Sequence, residues 1–534
     1  MPATAATTPP QDMRSPIGRA ALIILGLTLV DKVLALLKEM LLAAQFGIGR
    51  DLDTFNLAYA IPGLIGLLLD GAVVSSFVPL AADWRRDHTP AQVRDRTMTV
   101  LIACLAVSGL ISCCGILLAP IFFPLLGYGF DPGQTALGIR MEQRLMLLVA
   151  LEGTSALLAG LLRSWKAFAA VTAAQLPINC CLILFLYLGG GTIDILVQGT
   201  LLGTLGKFLW LTVAVSRRFS LVAPFRFDSP ALRGFVILAI PLVGSDLIAN
   251  SNILVDQSMA TQLAPGGVSI LRYAYRINDL PLQLAVIAIS RAILPFISDQ
   301  ASAGDLPGLR RVFGQSLATL GVIALPVIAL VMLFADEIVS VLLQRGAFTA
   351  ADAHLTAGTL RCYTAGLFFF AYAFVNGEFF CVLKRTRFLL GMGFLTLALN
   401  IGLNLLFLHL THQVEGIALS STVTGALVTL IFLSQLSRTL VLDRPLRLAA
   451  GLFPPAVAAF AATLPCLLAR GPLTASGLPT LVRLALGAGL FAIVFVPVQI
   501  LLQLRTAEAH QPLWDVRKLG CLWRRGRRGS PDGL

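Results

Sequence analysis

Residues 20–46 read AALIILGLTLVDKVLALLKEMLLAAQF, an apolar run of 27 residues that contains four charged side chains. A helix of about 20 residues spans the hydrocarbon layer of a membrane, so this run is long enough to cross one. It is also longer than the apolar core of a secretory signal peptide, which has about 7–15 residues. Together with the polar residues 1–19, the run predicts a first membrane-spanning helix and no cleavable signal peptide.

The rest of the chain repeats this apolar pattern. Of its 534 residues, 57% are hydrophobic and 13% are charged, and the mean hydropathy is +0.84. Soluble domains are typically about 45–50% apolar and about 25% charged. We therefore predict an all-α membrane protein of about fourteen transmembrane helices. They lie near 20–47, 54–80, 98–126, 141–165, 168–188, 194–215, 234–262, 269–297, 313–335, 357–383, 387–409, 414–436, 449–468 and 478–504.

The basic residues predict the orientation of these spans. With a cytoplasmic N-terminus, 27 of the 40 Lys and Arg residues fall in inside segments, as the positive-inside rule requires. We expect a multi-pass protein of the bacterial inner membrane with both termini in the cytoplasm. The basic tail, residues 505–534, is best interpreted as a contact with anionic lipids or an orientation signal, and a nucleic-acid partner is disfavoured.

The chain also shows a faint internal repeat. Pro79 ends the second span and Pro295 ends the eighth, and each is followed by an aspartate and a basic loop. The two prolines lie six spans apart, an even offset that gives both halves the same orientation. This predicts an N-lobe of six helices (20–215), a cytoplasmic linker (216–233), a C-lobe of six helices (234–436) and a final helix pair (449–504). The tails are residues 1–19 and 505–534.

Charged residues inside the spans are the best indicators of function, because a charge in lipid is costly. Asp31, Lys32, Lys38 and Glu39 fall within a sector of the first helix about 120° wide. Asp31 and Lys38, like Lys32 and Glu39, are roughly 10 Å apart along the helix. We therefore expect these four side chains to find their partners on other helices, in water or in a ligand.

Three other spans have polar faces. Spans three to five are nearly uncharged along their middles. Interhelical salt bridges would explain such faces, but basic residues on the leading helices of both halves favour a hydrated cationic cavity suited to phosphate. The residues are Tyr59, Gly63, Gly66 and Asp70 in the second span, Asp246, Asn250 and Gln257 in the seventh, and Arg272, Arg276, Asp279 and Gln283 in the eighth.

The sequence gives little support for an enzymatic activity or for a metal or cofactor site. No Walker A, HExxH, GxSxG or dinucleotide-binding motif stands in a suitable context, so we expect a transporter rather than an enzyme, with no cofactor and no metal. Asn400 and Asn404 would suit a cation site, although interhelical hydrogen bonds are favoured. Without a nucleotide site, the driving force would come from ion gradients, membrane potential or downstream consumption.

A series of short motifs runs along the chain. The motifs are Asp31-Lys32-Val33-Leu34, Lys38-Glu39, Phe46-Gly47, Asp53, Phe55, Pro62, Asp70-Gly71-Ala72, Phe77-Val78-Pro79, Tyr273-Ala274-Tyr275-Arg276-Ile277, Leu280-Pro281, Leu294-Pro295, Arg345-Gly346-Ala347-Phe348-Thr349 and Asp352. They resemble the motifs of the MurJ/MviN family of lipid II flippases, and the resemblance covers nearly the whole chain. The resemblance implies two six-helix lobes around a cationic cavity and a final helix pair lining a groove for a lipid tail. It implies transfer of the undecaprenyl-diphosphate-linked disaccharide-pentapeptide from the cytoplasmic to the periplasmic leaflet.

By position, Lys32, Lys38 and Arg276 match the family's essential cavity arginines, and Asp53 matches its essential aspartate. Arg272 joins them as a candidate substrate-binding residue, with Asp31, Glu39, Asp70, Asp246, Asp279 and Gln283 as polar or charged partners in the cavity.

The chain also departs from the family pattern. Lysines replace the family's usual arginines at Lys32 and Lys38, and a usual basic pair is absent at Gly66-Leu67, for which Arg272 is a candidate replacement. These departures would be expected in a paralogue that moves another polyprenyl-diphosphate sugar, such as an exopolysaccharide unit. A small-molecule antiporter of the same superfamily and a non-transporting scaffold are further alternatives. We expect a monomer.

Overall fold

The computed structural model describes residues 14–189, 191–219, 226–440 and 450–505, and within them every regular element is helical. Each predicted span coincides with a helix or, for spans four and five, with two consecutive helices. The helices are α1 (Arg14–Phe46), α2 (Arg50–Asp87), α3 (Pro90–Leu126), α4 (Pro132–Leu145), α5 (Leu147–Ser164), α6 (Phe168–Ala173), α7 (Leu176–Leu188), α8 (Asp194–Ser216), α9 (Ser229–Ala260), α10 (Gly267–Ser302), α11 (Leu306–Leu343), α12 (Ala350–Val382), α13 (Thr386–Thr411), α14 (Val414–Thr439), α15 (Phe453–Ala475) and α16 (Thr480–Arg505).

Twelve stretches of helix among the described residues are long and apolar enough to cross a membrane. The two remaining predicted spans, in α1 and α10, are the ones that carry the charged stripes. The predicted fold class, an all-α membrane protein with about fourteen spanning helices, is confirmed.

The surface of α3 shows why so many apolar side chains remain exposed. Leu110, Leu117 and Ile121 are 64%, 76% and 63% exposed, and their spacing places them on one stripe of the helix. In a soluble protein such a stripe would be an aggregation hazard. In a membrane-spanning helix it is the face that contacts lipid.

The chain divides into two compact units, and the first is Met1–Asn250. Its core forms where α2 packs on α5, with Phe77 fully buried and in edge-on contact with Trp84. Gly160 of α5 faces Phe77, so the absence of a side chain there allows the close approach of the two helices. The first helix packs mainly against α6 and α7.

The second unit is Ser251–Leu534. Within it α12 packs against α10, α11 and α14, around the aromatic side chains of Phe313, Tyr372 and Phe379. The final helix pair, α15 and α16, packs on α11 at Phe334, where the helix is kinked. A Cβ atom on Gly487 would lie 2.3 Å from the Phe334 ring, so this contact requires glycine.

The division between the units falls inside α9, at Asn250/Ser251. The predicted lobe limits, 20–215 and 234–436, stay predictions. Residues 1–13, 220–225 and 506–534, which include most of both predicted tails and part of the predicted linker, lie outside the described residues.

Candidate functional site

The charged face of α1 contains an ion pair between adjacent residues. Lys38 Nζ lies 3.2 Å from Glu39 Oε1, and both side chains are buried. The expectation that these charges would find partners only outside the helix is therefore wrong for this pair. Neighbouring Cβ atoms diverge by about 100° around a helix, but the long stems of Lys and Glu are flexible enough to bring the charged ends together.

The N-terminal part of the same face is more open. The Asn179 side chain of α7 donates a hydrogen bond of 2.9 Å to Asp31 Oδ1, so Asp31 has the interhelical partner that the sequence predicts. The side chain of Gln45 donates to the Leu186 carbonyl near the other end of α7. These two contacts hold α1 against α7, while the Lys32 side chain is exposed.

Asp53 lies buried in the first turn of α2, next to the short connection from α1. That connection is tied to the start of α4, because Arg50 pairs with Asp131 at 3.0 Å and Gln134 donates to the Arg50 carbonyl. Lys32 precedes the end of α1 by 14 residues, or about 21 Å of helix. Asp53 therefore lies near the α1–α2 turn and well removed from Lys32 along the helix axis.

Asp246 of α9 lies against Gly71 of α2, the residue that follows Asp70. A Cβ atom on Gly71 would be 2.8 Å from the Asp246 carboxylate, so the glycine allows this contact. Both aspartates are half-buried. The structure thus places one predicted cavity carboxylate, Asp246, against the residue next to another, Asp70, within the first unit.

The predicted residues of the second unit lie on α10. Arg276 is exposed, whereas Arg272 and Asp279 are half-buried on the same stripe of the helix. The side chain of Gln283 lies outside the described residues. A single cleft that unites this stripe with the charged face of α1 stays a prediction.

A protein-family model described as lipid II flippase MurJ matches residues 42–471. The chain belongs to this family. The match includes Asp53, Asp70, Arg272 and Arg276 and begins after Lys32 and Lys38. Family membership thus confirms the resemblance seen in the sequence motifs.

Curated relatives of the chain carry the same family name. A probable lipid II flippase MurJ of Bdellovibrio bacteriovorus is 26% identical, over 80% of this chain and 83% of the relative. One of Rickettsia prowazekii is 25% identical, over 76% of this chain and 81% of the relative. The lipid II flippase MurJ of Burkholderia cenocepacia is 25% identical, over 65% of this chain and 70% of the relative.

Solved structures support the fold. The inward closed conformation of a lipid II flippase MurJ superposes with a TM-score of 0.77 at 18% identity, over 91% of this chain and 100% of that one. An inward-facing multidrug resistance MATE family transporter of the MOP superfamily gives 0.66 at 15% identity, over 78% and 98%. At these identities the likeness shows a shared fold.

Gly66, where sequence analysis expects a basic pair of the family to be absent, lies beside a buried ion pair that the sequence did not reveal. Lys207 Nζ of α8 donates a hydrogen bond of 2.7 Å to Glu152 Oε2 of α5. A Cβ atom on Gly66 would lie 3.4 Å from Cγ of the same glutamate. A basic side chain, Lys207 of the same unit, is therefore held close to Gly66 through Glu152.

Several motif residues shared with the MurJ family have structural roles. Tyr273 is buried and meets the Phe348 ring edge-on at 5.7 Å. Thr349 caps α12, its hydroxyl accepting from Asp352 N while the Asp352 carboxylate accepts from Thr349 N. These two motifs therefore mark how α10 and the start of α12 pack, and the residues of the first motif with exposed side chains are Tyr275 and Arg276.

The paired asparagines of α13 belong to a buried polar cluster. Asp256 of α9 accepts hydrogen bonds from Asn404 at 2.6 Å and from Ser421 of α14 at 3.1 Å, and Asn404 also donates to Asn400. The structure supports the interpretation of Asn400 and Asn404 as interhelical hydrogen-bonding residues. Sequence analysis missed Asp256, although an aspartate inside an apolar span is a visible signal.

No group of three or more His, Cys, Asp or Glu side chains that could hold a metal ion occurs among the described residues.

Glu142 of α4 is a second carboxylate that sequence analysis missed. It is 1% exposed, and within the described part of the chain neither of its oxygens has a hydrogen-bond partner. With Glu152 on α5, it shows that the fourth predicted span is more polar than expected.

Proposed function

We propose that the chain is a lipid II flippase, which moves the undecaprenyl-diphosphate-linked disaccharide-pentapeptide from the cytoplasmic to the periplasmic leaflet by alternating access. The observation that carries this proposal is the match of the lipid II flippase family model to residues 42–471. Relatives named as lipid II flippases, aligned over most of their own length, support it. The protein would act in the inner membrane as a monomer with both termini in the cytoplasm.

The substrate's diphosphate is the part that the charged residues would recognise. Lys32 and Lys38 of α1 and Arg272 and Arg276 of α10 supply basic groups on helices whose other residues are largely apolar. Arg binds phosphate oxygens through two parallel hydrogen bonds, and Lys acts as a point charge. In a site shielded from bulk water, such interactions are stronger than in solution.

The ion pair on α1 suggests how Lys38 is kept ready for this role. A buried ammonium is costly without a partner, and Glu39 supplies one at 3.2 Å. The diphosphate would compete with the Glu39 carboxylate for Lys38 on binding, and Glu39 would take Lys38 back on release. Lys38 would then have an anionic partner at both stages of the transport cycle.

Complementation tests the proposal. Expression of the chain in a bacterial strain depleted of its own lipid II flippase should restore growth and cell shape. The control is the Lys32→Ala/Arg276→Ala double variant, at matched levels in the membrane. Failure of the wild-type chain despite correct insertion would move the assignment to a flippase of another polyprenyl-diphosphate saccharide.

A further inference from the structure

A cavity of about 490 Å³ lies where the ends of α2 and α5, the start of α3 and the residues after α8 meet. All of its lining belongs to the first unit, on the side predicted to be cytoplasmic. The ionisable side chains in its lining are the basic Arg85, His88, Arg94 and Arg218, and no acidic side chain lines it. The cavity is therefore suited to an anion.

Three acidic residues near this cavity are engaged by arginines that do not line it. Arg86 pairs with Asp83 and Asp87 on the outer surface of α2, and Arg96 pairs with Asp228. Within the described part of the chain, Arg85 and Arg218 form no ion pair.

Arg94 is only partly neutralised. It approaches Asp95 at 3.6 Å, and its Nε atom is buried without a hydrogen-bond partner among the described residues. The terminal nitrogens of Arg85, Arg94 and Arg218 are donors that a ligand with several oxygen acceptors would engage at once.

One wall of the cavity is aromatic. The Trp165 and Phe219 rings lie 6.1 Å apart at an interplanar angle of 41°, and Leu161 and Val93 continue the apolar surface. Tryptophan is enriched at the depth of lipid headgroups, where one end of the ring is apolar and the other is wet. A basic rim beside an apolar wall fits a ligand that joins a phosphate to an organic group.

We propose that this cavity binds a phosphate group at the membrane surface, held by Arg85, Arg94 and Arg218, with Trp165 and Phe219 covering the organic substituent. The phosphate belongs either to the headgroup of an anionic lipid or to a soluble phosphate compound. No residue of α1 or α10 is among those that line this cavity, and the proposal does not depend on the proposed flippase activity.

Binding to the full-length protein in neutral detergent tests the site. The probes are dioctanoyl phosphatidylglycerol and inorganic pyrophosphate, with dioctanoyl phosphatidylcholine as the zwitterionic control. The signal is the change in tryptophan fluorescence that is lost in a Trp165→Phe variant, because Trp165 lines the cavity. The Arg85→Ala/Arg218→Ala variant is compared with Arg86→Ala, which removes a neighbouring arginine that does not line it.

We expect the double variant to lose affinity by at least about tenfold and the Arg86→Ala variant to bind like the wild type. Binding of phosphatidylglycerol alone would assign the site to a lipid headgroup, and binding of pyrophosphate as well would assign it to phosphate itself. The proposal is overturned if the wild type binds neither probe, if the double variant binds as tightly as the wild type, or if Arg86→Ala loses as much affinity as the double variant.

Discussion

Lys207 Nζ lies 2.7 Å from Glu152 Oε2, so an ammonium from α8 and a carboxylate from α5 form an ion pair within the first unit. The two side chains are 7% and 18% exposed, and they sit in helices that are otherwise strongly apolar. Breaking such a pair by removing one partner leaves the other charge buried and uncompensated. This pair should therefore matter more for stability than the exposed ion pairs at the helix ends.

The first prediction concerns this pair. Lys207→Ala should destabilise the protein by about 3–5 kcal/mol, because Glu152 loses its partner in a shielded environment. The apparent melting temperature of the detergent-solubilised protein, followed by helical circular dichroism, measures the effect. The Glu152→Gln/Lys207→Gln double variant should recover most of the loss, and a double variant less stable than Lys207→Ala would contradict the ion-pair interpretation.

Glu142 offers a comparison, because removing its carboxylate should have the opposite effect on stability from removing that of Glu152. Its carboxylate is buried without a hydrogen-bond partner among the described residues, a costly arrangement for an ionised group. Glu142→Gln keeps the shape and replaces the carboxyl group by an amide that cannot ionise, so the melting temperature should stay the same or rise. Glu152→Gln, ten residues further along, should lower it. If Glu142→Gln lowers it as well, an interaction of Glu142 has been missed.

The helices could be predicted from the sequence because long apolar runs bounded by polar residues leave little choice of structure in a membrane. All fourteen predicted spans coincide with helices. The Glu152–Lys207 pair could not be predicted, since each residue is the main charge in the middle of its own apolar span. A pairing 55 residues apart has no helical periodicity to reveal it.

The candidate site could be predicted only in part, for a related reason. Helical periodicity places Asp31, Lys32, Lys38 and Glu39 on one face but says nothing about side-chain conformation, and so it missed the Lys38–Glu39 pair. The contact of Asp246 with Gly71 depends on how α9 packs on α2, which no local pattern encodes. Sequence motifs also mixed packing residues such as Tyr273 with exposed ones such as Arg276.

A pH prediction follows from Asp228, which precedes α9. Partial burial raises the pKa of Asp228, but hydrogen bonds from the Ala231 amide and Arg96 outweigh it and leave the pKa below its usual value. A lowered folded-state pKa stabilises the protein above the unfolded pKa of about 3.9, and this contribution is lost as the pH falls through the folded value. The stability difference between wild type and Asp228→Asn should be constant from about pH 5 to 8 and shrink below about pH 4.

Thermal unfolding at each pH measures this difference. Arg86→Ala is the matched control, because the exposed Arg86 pairs with Asp87 at the solvent-facing end of α2 and should contribute little at any pH. A difference for Asp228→Asn that grows on acidification would show that the carboxylate is destabilising in the folded protein.

The proposed diphosphate contacts predict a pattern of transport defects. Lys32→Ala, Lys38→Ala and Arg276→Ala should each abolish complementation of a lipid II flippase depletion strain while leaving insertion intact, because each removes a positive charge from the proposed binding site. Charge-conserving Lys32→Arg should retain function. Immunoblots of membrane fractions check insertion.

The Glu39→Gln variant tests whether Glu39 acts as a temporary partner that the diphosphate displaces from Lys38. If Glu39 serves only as a temporary partner for Lys38, the variant should insert normally and bind the diphosphate more tightly but release it more slowly, so growth is partly restored. For the alanine variants of the preceding prediction, growth supported by all of Lys32→Ala, Lys38→Ala and Arg276→Ala would contradict the assignment of these residues to diphosphate binding.

The last prediction uses Gly66 and Leu67 to distinguish between substrates. An arginine at position 66 would point toward Glu152, whose Cγ lies 3.4 Å from the position of a Cβ atom there. Gly66→Arg would therefore find a carboxylate partner and should be tolerated whatever the substrate, with Gly66→Leu as the control for bulk. Leu67 is 54% exposed, so Leu67→Arg would add a charge without that neighbour.

Leu67→Arg is consequently the more informative substitution. If lipid II is the substrate, a basic residue restored beside its large headgroup should support growth of the depletion strain as well as the wild type does, or better. If the protein moves another lipid-linked saccharide, an arginine without a partner should cost a few kcal/mol and reduce transport of that substrate. Growth restored by the wild type and by Leu67→Arg would support lipid II. Failure of the wild type, Gly66→Arg and Leu67→Arg alike, at normal membrane levels, would favour an exopolysaccharide precursor.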